Sequence, residues 1–242
     1  MGSGPYRGMT SHGNMTARRL ITAAAVRPIM RRRTVLASVP GALLIGGCTS
    51  LLGDSTEFEA ERGFVTESAS SETRYDEANR SEDTIEREFQ GVDATVVVIN
   101  KITEYSRSVE MPLVVNGELA RFTVLTSPGI TVGPGDPANP IEDMNNDDLA
   151  VRVQQQYDTV DNVERLDERE AELLGETTTV TRYRADAETE GQPTEVNLHI
   201  AQDRSERSDG DPDFVVTVGI HPSDVDESDN VDRLNAGVEH PE

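Results

Sequence analysis

The chain has 242 residues, with 45 acidic against 22 basic side chains, a formal net charge of −23 at pH 7, one cysteine and no tryptophan. A balance this acidic, without a basic patch, argues against nucleic-acid binding, and a single thiol rules out an intramolecular disulfide framework or a multi-cysteine metal site. The charge is unevenly spread: seven arginines and no acidic residue precede Cys48, so the part from Cys48 onward holds 15 basic and 45 acidic residues, a balance of −30.

Taken in chain order, residues 1–29 hold a weak signal-like run, Arg18-Arg19-Leu20-Ile21, which Arg27 and Pro28 interrupt. Met30 stands directly before three arginines and is the better start, so 1–29 is set aside as an extension from a start codon placed too far upstream. Residues 30–47 have the layout of a secretory signal: the pair Arg32-Arg33, an apolar run from Thr34 to Ile45, then small residues before Cys48. The run is too short for a membrane span, which needs about 20 apolar residues.

Arg32-Arg33-Thr34-Val35-Leu36 resembles the twin-arginine export consensus, with Arg31 where that pattern usually has Ser or Thr. Ile45-Gly46-Gly47-Cys48 resembles the lipobox of bacterial and archaeal lipoproteins. The resemblance implies export in the folded state, alkylation of the Cys48 thiol by a two-chain lipid, and cleavage that leaves Cys48 first. Two chains matter because one gives only marginal, reversible membrane binding. The expected partner is therefore membrane lipid through Cys48, and the expected location the extracellular face of the cell membrane.

Lysine occurs once, at Lys101, and the other 21 basic residues are arginine. With the acidic excess, this composition resembles that of proteins from extreme halophiles. Self-repulsion strains a compact fold in dilute buffer, but at 1 M salt the screening length is about 3 Å.

Residues 48–57 read as a short tether of small and polar residues, and 58–242 as one acidic globular domain. Phe58 to Gly63 suggests a first short strand, Phe64 to Thr73 a short helix, and Tyr75 to Phe89 an edge strand or an irregular hairpin arm. Thr95 to Ile102 is β-branched and long enough for a central strand. Arg121 to Thr126 is another, ended by Ser127-Pro128-Gly129, with a Gly/Pro-rich loop from Gly133 to Pro140. A helix starts at Asn145 or Asn146, an N-cap residue type, and Leu149, Val153, Tyr157 and Val160 give it one apolar stripe. A meander follows: Glu170 to Leu174 as one arm, a turn at Leu174-Gly175-Glu176, and a strand from Thr177 to Arg184. From Thr194 to Gln202, Val196, Leu198 and Ile200 face one way and Asn197 and His199 the other. Asp203 to Asp213 is a polar loop, Phe214 to Ile220 a strand apolar enough to be central, and Val231, Leu234 and Val238 recur at helical spacing after a capping Asp229-Asn230.

The sum is an α+β fold: a mainly antiparallel sheet of roughly six strands with two or three helices packed on it. No Gly-rich phosphate loop follows a strand, so no nucleotide cofactor is implied, and no cofactor of another kind is expected. His199 and His221 are the residues an exported hydrolase or metal-dependent enzyme would use, but they share no ligand spacing, and His240 is expected at the surface. No metal is expected; Asp209, Asp211 and Asp213, and the run from Asp224 to Asp229, are weak oxygen-ligand candidates that do not match EF-hand spacing. The hydroxyls of Thr177 to Thr181 lack a nucleophile elbow, so no catalytic residue is nominated. Asn79-Arg80-Ser81 is an Asn-x-Ser acceptor for glycosylation.

Four stretches are similar to an uncharacterised family of haloarchaeal exported lipoproteins: Phe122 to Pro128, Asp143 to Leu149, Gly175 to Tyr183, and Phe214 to Pro222. That resemblance carries no activity and no site residues. The element order is loosely similar to a PsbP-like α/β/α sandwich, an analogy that says little about function. The expected function is a lipid-anchored binding or envelope-maintenance module; the alternatives are an exported enzyme and a solute-binding or sensory lipoprotein.

Overall fold

In a computed structural model, the described residues are 56–88, 95–108, 118–130, 139, 141–156, 160–189, 192–207 and 211–241. Arg32, Arg33, Cys48, Asp209 and Tyr157 lie outside the described residues. The elements run β1 (Thr56–Glu59), β2 (Phe64–Val65), α1 (Glu67–Thr73), β3 (Asp76–Glu88), β4 (Thr95–Ser108), β5 (Glu118–Ser127), α2 (Asn146–Gln156), β6 (Val160–Leu173), β7 (Glu176–Thr189), β8 (Gln192–Ser205), β9 (Asp213–Pro222), α3 (Ser228–Ala236) and β10 (Val238–Glu239).

This is α+β as expected, but with longer strands and more of them. The main sheet has eight strands, ordered β4-β5-β9-β8-β7-β6, with β3 on the outer side of β4. The other side of β4 is shared: β1 pairs parallel with Val96 to Ile99, and β5 pairs antiparallel from Lys101 onward. β2 and β10 form a separate two-stranded ribbon. The β6–β7 hairpin turns at Leu174 and Gly175, both at positive φ (55° and 80°). That is the backbone a tight two-residue hairpin needs, and glycine is the residue that adopts it without strain.

Helices cover both faces of the sheet. Alternate residues of the same strands feed two cores: Phe122, Val124, Val180, Ala201 and Val215 lie with α1 and α3, while Leu198, Ile200, Tyr183, Phe214 and Val216 lie with α2. Thr66 caps α1 through its side chain. Asn145 caps α2, its Oδ1 accepting from the Asp147 and Asp148 amides at 2.9 and 3.0 Å, while Asp148 Oδ2 accepts from the Asn145 amide at 3.1 Å. This reciprocal arrangement satisfies amides that would otherwise be orphaned.

Two helical stripes stop earlier than their spacing predicts. α2 ends at Gln156, and Val160 opens β6. α3 ends before Gly237, whose amide bonds back to Arg233 and Leu234, and Val238 pairs with Val65 instead.

Candidate functional site

A buried polar cluster lies between α3 and the sheet. His199 on β8 and His221 on β9 are each 1% exposed. Their rings stack with centroids 5.0 Å apart, and their Nε2 atoms are 2.9 Å apart. Arg169 on β6 reaches His199 Nδ1 at 3.1 Å, and His221 Nδ1 lies 2.9 Å from the Pro222 carbonyl.

These neighbours fix the tautomers. A guanidinium only donates and a backbone carbonyl only accepts. His199 therefore accepts at Nδ1 and donates from Nε2 to His221, and His221 donates from Nδ1 to Pro222. The relay is satisfied only with both rings neutral; a proton added to either would displace one of its hydrogen bonds. Burial, the neighbouring ring and the Arg169 and Arg182 charges push His199 down to about 3. Burial likewise lowers His221, against the opposing pull of the Pro222 carbonyl, Glu227 and Asp226.

α3 is pinned over this pair. Arg169 binds Asp232 through Nε and Nη2 at 2.5–3.0 Å. Thr217 donates to Asn235 Oδ1 at 2.7 Å. The Glu227 carboxylate, 3% exposed, accepts from Asn230 at 2.7 Å, Arg107 at 3.0 Å and Tyr75 at 3.3 Å. Burial first, and then the Glu227 charge, raises the Tyr75 hydroxyl far above its ordinary value. Gly219, paired with His199 across β8–β9, lets the helix come this close: a Cβ there would stand 2.9 Å from Val231 Cγ2.

The alternation on β8 holds, and α3 covers the face that carries Asn197 and His199. One expectation is corrected. His240 is not at the surface: its side chain and that of Asp213 are fully buried, 3.0 Å apart. Asp213 also accepts from the Glu61 amide at 2.8 Å and from Arg207 at 3.1 Å. That carboxylate thus joins the first strands, β9 and the C-terminal segment. Asp211 is exposed, and no group of three or more metal-ligating side chains converges among the described residues. His199 and His221 do meet, as an enzyme would need, but neither ring reaches solvent and Arg169 occupies the free nitrogen. Asn79 is exposed on β3 and donates to Glu104 at 2.8 Å.

An open concavity lies on the other face. A cleft of about 420 Å³ is lined by Asn145, Asn146, Asp147, Arg165, Thr179 and Gln202, among others. Asn146 Nδ2 is used by Thr179, Thr181 and Ile200 oxygens at 3.0–3.1 Å. Asp147 accepts from Tyr183 at 2.7 Å and Arg165 at 3.2 Å. The lining is hydrogen-bonding throughout and carries both charge signs. Glu227, Arg169, Arg107 and Tyr75 were missed by sequence reasoning; no local motif marks them, because the contacts that tie them to other elements span 30 to 152 positions.

Residues 63–239 match a family described as a domain of unknown function, DUF6517. No curated protein and no solved structure matches the chain. The family match agrees with the resemblance to an uncharacterised family drawn from the sequence.

Proposed function

The chain belongs to the DUF6517 family, and from that premise we propose that it is a lipid-anchored extracytoplasmic binding module, held on the outer membrane face through Cys48 and adapted to brine. The observation that carries this reading is the run from Arg32-Arg33 to Ile45-Gly46-Gly47-Cys48, in a leading segment without one acidic residue. Among the described residues the first strand begins at Thr56, and in this reading the few residues between it and Cys48 are the tether. No helix among the described residues is long and apolar enough to cross a membrane; in this reading the lipid supplies the attachment.

A binding role is favoured over catalysis by the contrast between the two polar sites. The histidine pair is sealed and neutral, whereas the α2 cleft is open and lined by amides, hydroxyls and an Asp147–Arg165 pair. Such a lining suits a small polar ligand or a polar segment of a partner protein. Cys48→Ser with cell fractionation in the source organism tests the anchor: the variant should move from the membrane to the soluble fraction. Unchanged membrane retention, or a bare thiol at Cys48 in the purified protein, would sink the reading.

A further inference from the structure

We propose that Asn79 carries an N-linked glycan, and that this glycan protects the β3 edge, one of the two edges of the sheet, in high salt; the proposal rests on the exported, brine-facing reading above. From Cys48 onward, Asn79-Arg80-Ser81 is the single Asn-x-Ser/Thr sequence in the chain. The structure places it on β3, the outermost strand beside β4. Asn79 and its neighbours from Asp76 to Arg80 are exposed. The pairing register shifts between Glu77 and Asn79, a bulge at Ala78 that loosens the strand next to the acceptor. A domain exported already folded can be modified only at an acceptor on its surface, and this one meets that condition.

The reason for a glycan at this place is physical. β3 runs 13 residues and pairs on one side only among the described residues. Its outer edge is a template for joining another copy. The strand carries Asp76, Glu77, Arg80, Glu82, Asp83 and Glu86, and charge is a usual guard for an edge. In molar salt, however, the screening length is about 3 Å, shorter than the spacing of about 4.8 Å between paired strands. Charge repulsion then fails at the distance where it is needed. A bulky sugar chain excludes a neighbouring strand by its volume at any ionic strength.

The chemistry requires a lipid-phosphate-linked sugar donor and a transferase on the outer face. The Asn79 Nδ2 attacks C1 of the sugar, the N–C1 bond forms as the C1–O bond to the carrier phosphate breaks, the amide loses one proton to a base of the transferase, and the carrier leaves as its phosphate. The side chain's present bond to Glu104 is exposed and easily exchanged for water.

The test uses the protein as purified from membranes of the source organism in molar salt, with mass spectrometry of the tryptic peptide Tyr75–Arg80 and of Cys48. The wild type and Ser81→Thr should show that peptide heavier by a sugar chain. Asn79→Gln and Ser81→Ala should show no added mass, and Ser81→Ala, which keeps the Asn79–Glu104 contact, should self-associate in molar salt by light scattering. A bare Asn79 in molecules whose Cys48 is lipidated overturns the glycan while leaving export intact. A bare Asn79 together with a bare Cys48 overturns both. A glycosylated wild type with a Ser81→Ala variant that stays monomeric overturns the edge-guard role.

Discussion

The two faces of the main sheet are built from alternate residues of the same strands, yet they are held by different physics. Under α2, Leu198, Ile200, Tyr183, Phe214 and Val216 make a mostly apolar core. Under α3, apolar contacts such as Val231 and Leu234 are interleaved with Glu227, the histidine pair, Thr217 and Asn235, all buried. Apolar packing is non-directional and tolerates repacking. A buried polar contact is worth little net when made and costs much when one partner is lost. The α2 face should therefore fail gradually and without regard to pH, and the α3 face abruptly and with a dependence on pH.

The largest expected effect breaks the α3 face. Glu227→Ala leaves Arg107, Tyr75 and Asn230 facing a vacated site, and should cost about 3–5 kcal/mol, the range for removing one partner of a buried pair, read from urea denaturation. Leu198→Ala is the matching lesion under α2 and should cost about 2–5 kcal/mol, by the same amount at pH 5 and pH 7.5. A Leu198→Ala penalty that varied with pH would undo the contrast.

The pH dependence sharpens it. Both histidines have folded values below the unfolded value of about 6.5, so between those values the unfolded chain binds more protons than the folded one. Stability conferred by the neutral relay is therefore fully present above about pH 6.5 and is lost as pH falls toward the folded values. Each histidine contributes a slope of at most about 1.4 kcal/mol per pH unit. The groups facing the pair are Arg169 and Arg182 from β6 and β7, Asp232 from α3, and Asp226 and Glu227 from the segment before it. Comparing wild type with His199→Gln/His221→Asn between pH 4 and 7 isolates the histidines from these carboxylates. The double variant should show a shallower fall; identical slopes would remove the pair from the account.

The smallest effect probes the close approach. Gly219→Ala should destabilise by about 1–3 kcal/mol through overpacking against Val231. Val231→Ala should recover part of that loss in the double variant, because the two residues touch.

Much of the α2 side was legible in the sequence. Val196, Leu198 and Ile200 alternate, Asn145 is a capping residue followed by two acids, and Gly175 marks the hairpin; all three signals are local and the structure keeps them. The α3 side was not. His199 and Asn197 occupy the polar phase of β8, and alternation reports phase but not whether a helix later covers that phase. Val238 fits a helical stripe, but Gly237 ends the helix, and Val65, far back in the chain, claims it as a strand partner.

The residue order alone determined the acidic surface, the strand periods, the caps and turns and the features of the leading segment, because each depends on composition or on neighbours within a few positions. Tertiary structure alone decided which polar residues became buried and what they touched. Glu227 meets Tyr75 across 152 positions and Arg107 across 120, and no short-range pattern encodes a contact whose existence depends on how eight strands are ordered.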